Sequence, residues 1–171
     1  MRRVLVALVG SVVIAVTAAT IAATADARAR SVFVVPCTDT IGNLSNPAGS
    51  DRHVALGLFS VPSVTVGSER LFGVLHWRYW TKVAVGVRRY RAPVTVSVPK
   101  AWRSKVAVTW GNRAGIMSSI RFSSCADATS PNWSAYAGGF YLRQHIVCVP
   151  LIVSDGQRTA TVRVAIDGKC S

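Results

Sequence analysis

From residue 31 onward one pattern recurs: short runs in which every second residue is apolar, most often valine. In residues 93–99, PVTVSVP, Val94, Val96 and Val98 share one face while Thr95 and Ser97 take the other. Residues 105–110 repeat it with Val106, Val108 and Trp110, and residues 118–125 continue it with Ile120 and Phe122. Successive side chains of a strand point to opposite faces, so this period of two describes strands with one buried and one wet side. No long stripe of period 3.6 competes with it. Further strands are expected at residues 31–35, at 53–60 and near Leu71 to Leu75. Residues 147–166 read as a hairpin about the turn Ser154-Asp155-Gly156-Gln157. About eight to ten short strands, separated by Gly, Pro, Asn and Ser, predict an all-β antiparallel sandwich, with a barrel as the alternative.

The first residues follow another rule. Arg2 and Arg3 precede an uncharged run from Val4 to Ala25, which ends in the small-residue sequences Ala23-Thr24-Ala25 and Ala25-Asp26-Ala27. A basic start, an apolar middle and an A-x-A end describe a secretory signal peptide over residues 1–27. An uncleaved membrane anchor is the competing reading, since the run is long enough to span a bilayer. Its Ala- and Thr-rich second half suits a peptidase site better. The remaining residues, 28–171, suffice for one domain with one core.

All four cysteines, Cys37, Cys125, Cys148 and Cys170, lie after the leader. An even number in an exported domain predicts two disulfides. Three pairings are possible; the expected one joins Cys125 to Cys148 and Cys37 to Cys170. A metal site is not expected, because the cysteines are widely spaced and His145-x-x-Cys148 is the only close pairing of histidine with cysteine. No cofactor motif is present.

Formal net charge is +13, carried by 20 basic against 7 acidic residues. Loss of Arg2, Arg3 and Asp26 with the leader would lower it by one, to +12. Sixteen of the basic residues are arginine, a bias that a GC-rich coding sequence also produces. Between Arg70 and Arg121 there are eleven basic residues and no acid. If residues 83–87, 94–98 and 105–110 form a meander, Arg88, Arg89, Arg91 and Arg113 gather at one end, with Tyr90 as a stacking partner. Guanidinium groups bind phosphates and carboxylates through forked hydrogen bonds, so this end is a candidate anion site. A second candidate is Trp80, which alternation puts on the polar face between Arg78 and Lys82 as an exposed aromatic platform. Export favours an anionic cell-envelope polymer, an acidic polysaccharide or a lipid headgroup as partner over nucleic acid. Membrane attachment would come only through an uncleaved leader.

Catalysis finds little support. Asp51 and His53, two apart, are the closest local acid–histidine pair, and a hydrolase would have to centre on them. No G-x-S-x-G, H-E-x-x-H or paired-carboxylate pattern accompanies them. A non-enzymatic secreted or cell-surface protein is therefore expected, binding an anion through its arginine-rich end. A structural or protein-interaction module with incidental charge is the alternative.

The runs WSAYAGGF (133–140), CVPLIV (148–153) and VRVAIDGKC (162–170) in combination resemble small exported, disulfide-bonded β-proteins of GC-rich Gram-positive bacteria that have no assigned function. The likeness covers roughly residues 70–170. It implies an immunoglobulin-like sandwich outside the membrane and carries over no functional residues.

Overall fold

Alternation becomes strand wherever the apolar face finds a second sheet to cover it. The computed structural model describes residues 32–49, 51–74, 76–89, 93–125 and 133–170, all within one compact unit, Ser31–Ser171. The leader, Tyr90 and Arg91 lie outside the described residues. Fourteen strands occur among those described: β1 (Phe33–Val35), β2 (Gly42–Asn43), β3 (Arg52–Ala55), β4 (Phe59–Pro62), β5 (Glu69–Arg70), β6 (Tyr79–Lys82), β7 (Val85–Arg88), β8 (Val94–Ser97), β9 (Val106–Trp110), β10 (Ser119–Phe122), β11 (Trp133–Tyr136), β12 (Gly138–Leu142), β13 (Cys148–Ser154) and β14 (Thr159–Ala165). They form three sheets, ordered β1-β10-β8-β13-β14, β2-β11-β7-β4-β3 and β5-β6-β12-β9. The fold is the expected all-β sandwich of packed antiparallel sheets. One pair departs from that pattern: β1 runs parallel to β10, Phe33 opposite Ile120.

Two of the three sheets are halves of one bent ribbon. Strand β6 pairs with β12 and β7 with β11, and the register is the same on both sides of the bend. At the bend the Val83 N–H still donates to the Gly138 carbonyl, at 2.8 Å. The glycine pair makes this possible. A Cβ on Gly138 would collide with the carbonyl oxygen of Thr109, and one on Gly139 with that of Thr81.

Inside the bend sits an aromatic cluster fed by all three sheets. Trp110 is fully buried and donates its Nε1–H to the Val83 carbonyl at 2.9 Å. It meets Phe59 and Phe140 edge to face, with ring centroids 6.2 and 5.6 Å apart, while Phe122 bridges onward to Tyr136 at 5.0 Å. Rings of this size contribute much of the buried apolar area, and edge-to-face geometry adds to it.

Several expectations are corrected. Residues 53–60 are not one strand but the hairpin β3–β4. Leu56 and Gly57 both take positive φ, 53° and 67°, and the Leu58 N–H returns to the Ala55 carbonyl at 2.9 Å. With Ala55 paired to Phe59 this is a tight three-residue loop, Leu56–Leu58, built without the usual Asn-Gly signal. Residues 71–74 are a loop between β5 and β6, turned at Gly73 with φ 79°. The supposed meander does not form, because β7, β8 and β9 belong to three different sheets.

The disulfide pairing is also corrected. Cys37 bonds Cys125 and Cys148 bonds Cys170; the expected Cys125–Cys148 and Cys37–Cys170 links do not form. Parallel pairing explains the first bond, since β1 and β10 leave their sheet at the same end and bring Cys37 and Cys125 to a Cα separation of 5.7 Å. For the second, Cys148 begins β13 opposite Ala165 near the end of β14, and Ile166 N–H bonds the Val147 carbonyl, so Cys170 returns to Cys148. Two intramolecular disulfides and no free cysteine fit an oxidising compartment.

Candidate anion-binding face

The arginine-rich loop residues are dispersed. Arg89 donates from Nε to the Ser134 hydroxyl and from Nη2 to Asn43 Oδ1, at 2.7 Å, and so ties β7 to β2 and β11. Arg88 is partly buried, and its Nη1 points to the Gly57 carbonyl at 3.4 Å. Arg113 is exposed and lines a cleft with Asp39 and Asn112 at the bend, where the Gly111 N–H meets the Ala137 carbonyl. Arg88 lies opposite Trp133, four residues from Ala137, which is about 13 Å along a strand. Arg88 and Arg89 are thus not brought together with Arg113. Tyr90 and Arg91 lie outside the described residues.

Trp80, Arg78 and Lys82, in contrast, are part of a larger constellation. On β6 the fully buried Thr81 faces the core, which turns Trp80 and Lys82 outward. On β12 the buried Phe140 and Leu142 turn Tyr141 and Gly139 outward, and on β9 the buried Val106 and Val108 do the same for Ala107 and Thr109. Register then aligns Trp80, Tyr141 and Ala107 in one row and Lys82, Gly139 and Thr109 in the next. Trp80 and Tyr141 stack obliquely with centroids 4.7 Å apart. The Trp80 ring also lies across Gly139, where Cη2 is 3.1 Å from the position a Cβ would take. The indole is only partly exposed, resting on the glycine floor and Tyr141.

At one end of this face three cations come together, each next to the end of one of three adjacent strands. The Arg78 N–H donates to the Leu142 carbonyl at 2.8 Å, and the Arg143 N–H to the Lys105 carbonyl at 3.0 Å. Arg78 and Arg143 line one cleft with His76 and Gln144. The Arg143 guanidinium lies 5.2 Å from the centroid of Trp77, which in turn packs against Tyr141 at 6.2 Å.

The described ion pairs are His145–Asp167, at 3.3 Å, and Arg158–Asp155, so among the described residues no carboxylate neutralises Arg78, Lys82, Lys105 or Arg143. One acid, Glu69, stands on this sheet, opposite Trp80 on the edge strand. Asp167 accepts hydrogen bonds from the Ser68 N–H and hydroxyl, which hold its carboxyl below the usual range. Like charges on adjacent strands repel, so an unneutralised group of this kind weakens the sheet unless an anion joins it.

Sequence reasoning singled out Trp80, Arg78 and Lys82 but did not join them to Tyr141, Arg143, Lys105 and Trp77. Alternation through Phe140 and Leu142 carried the signal for Tyr141 and Arg143. What it lacked was the pairing of β12 with β6.

His53, the residue a hydrolase would use, is exposed on β3 and lines a cleft with Ser63, Thr65, Thr161 and Lys169. Among the described residues none hydrogen-bonds its ring, and no three His, Cys, Asp or Glu side chains gather as a metal would require. No protein-family model matches the chain, and no curated protein matches it significantly.

Proposed function

We propose that this protein is an exported, non-catalytic binding module that holds an anionic component of the cell envelope on the outer face of the β5-β6-β12-β9 sheet. The supporting observation is the grouping of Arg78, Arg143 and Lys105, without a carboxylate partner among the described residues, beside the Trp77–Tyr141–Trp80 rings. Guanidinium and ammonium groups supply charge-assisted hydrogen bonds, and the rings supply an apolar surface against which the bound chain loses water. The loop-end arginines contribute less, because Arg89 spends its hydrogen bonds on Ser134 and Asn43.

The test is binding of inorganic polyphosphate, measured by anisotropy or calorimetry over a range of salt. Affinity should fall steeply with ionic strength. Replacing Arg78, Lys105 and Arg143 together by Ser should weaken it by about a hundredfold or more, since each charged contact contributes about 1 kcal/mol or more. The pair Arg88→Ser and Arg113→Ser should change it by about twofold. A salt-independent affinity, or full binding by the triple variant, contradicts the proposal.

A further inference from the structure

The β5–β6 loop carries the most exposed large apolar side chain described in the protein. Phe72 is 83 % exposed, and beside it Gly73, at φ 79°, has nothing within 4 Å of where a Cβ would stand. The tip therefore projects clear of the fold. The Arg70 guanidinium carbon lies 5.7 Å from the ring centroid.

The loop leaves the sheet at the end where Arg78, Arg143 and Lys105 gather, and Trp77 joins it to the aromatic row. A soluble polyanion would engage the cations and the platform but leave a phenyl ring that stands clear of both still in water. An anionic bilayer presents both layers this end would need, phosphates at the level of the guanidinium groups and hydrocarbon just beneath. Tryptophan and tyrosine are the side chains that settle at the boundary between them.

We propose that the anionic partner is a phospholipid surface: Phe72 enters the hydrocarbon boundary, Arg78, Arg143 and Lys105 hold lipid phosphates, and Trp77, Trp80 and Tyr141 lie at headgroup level. This rests on the anion-binding reading of the same face and adds the chemistry of its ligand.

The test compares the wild-type chain with Phe72→Ser and with the Arg78, Lys105 and Arg143 triple serine variant. Each is sedimented with vesicles of phosphatidylcholine containing phosphatidylglycerol, and each is titrated in parallel with inorganic polyphosphate. The chains differ at no other position, so any contribution of the apolar N-terminal segment is common to all three. Phe72→Ser should lower vesicle binding about tenfold, the scale set by burying one phenyl side chain, and leave polyphosphate binding unchanged. The triple variant should lose both, and vesicles of phosphatidylcholine alone should be bound weakly by every form. Vesicle binding undiminished in Phe72→Ser overturns the lipid assignment. So does polyphosphate binding without vesicle binding, which leaves the anion-binding proposal standing. Failure to bind either probe overturns both. Because Phe72 packs against no core residue, an unchanged melting temperature identifies the serine variant as folded.

Discussion

Thr81 shows how closely the buried face of β6 is packed. Its side chain is fully buried, and among the described residues its hydroxyl oxygen is the only buried side-chain polar atom with no hydrogen-bond partner. An unpaired buried hydroxyl opposes folding, and valine has the same shape without it. Thr81→Val should therefore raise stability by about 1 kcal/mol, seen as a melting temperature higher by about 3–5 °C. A lower melting temperature would mean that the hydroxyl has a partner after all. At this scale alternation was a good guide to which side of the sheet a residue takes: Lys82 is exposed and Trp80, on the same side, is only partly so. It failed for Arg89, whose role depends on Ser134 and Asn43, both brought close by pairings between strands distant in sequence. Parity would put Trp77 on the core side, with the buried Thr81 and Val83. Strand β6 begins two residues later, so parity had no hold on it, and the ring packs against Tyr141 instead.

Among the elements, the β13–β14 hairpin was legible because its turn carries its own chemistry. Asp155 Oδ1 accepts the Gln157 and Arg158 N–H groups at 3.0 and 2.7 Å, and Oδ2 accepts both Nε and Nη2 of Arg158. The backbone and side chain of Arg158, with the Gln157 N–H, lower the Asp155 carboxyl to about 2. A carboxyl depressed on folding stabilises the fold above its unfolded pKa of about 3.9 and ceases to do so as pH falls toward the folded value. The stability gap between wild type and Asp155→Asn should be constant above about pH 5 and close between about pH 4 and 2. A gap independent of pH would contradict this. The β3–β4 turn was illegible because a leucine occupies a left-handed position that sequence signals reserve for Asn or Gly. The disulfides were misassigned because pairing depends on the parallel β1–β10 contact, which leaves no mark in alternation. Their sequence separations are 88 and 22, so in the chain-entropy picture they are worth about 4.6 and about 3.4 kcal/mol. Peptide mapping should find Cys37 with Cys125. Removing that pair by serine substitution should destabilise the protein more than removing Cys148 and Cys170; the reverse order would show that native contacts outweigh loop length.

For the whole molecule, fold class was open to reading because valine at every second position is compatible with little else. The partition into sheets was not. It depends on the Gly138–Gly139 bend, where one ribbon serves two sheets, and on which distant strands meet beneath it. The candidate site inherits that limit, since its cations flank the ends of β6, β9 and β12, and only their assembly makes a surface. Whether this surface is where anions bind can be read most directly from backbone amide chemical shifts of isotopically labelled protein titrated with polyphosphate. The shifts should move at Arg78 to Lys82, Lys105 to Thr109 and Gly139 to Arg143, and remain still at Arg88, Arg89 and Arg113. Changes confined to the arginine-rich end, or scattered evenly over the surface, would contradict the assignment.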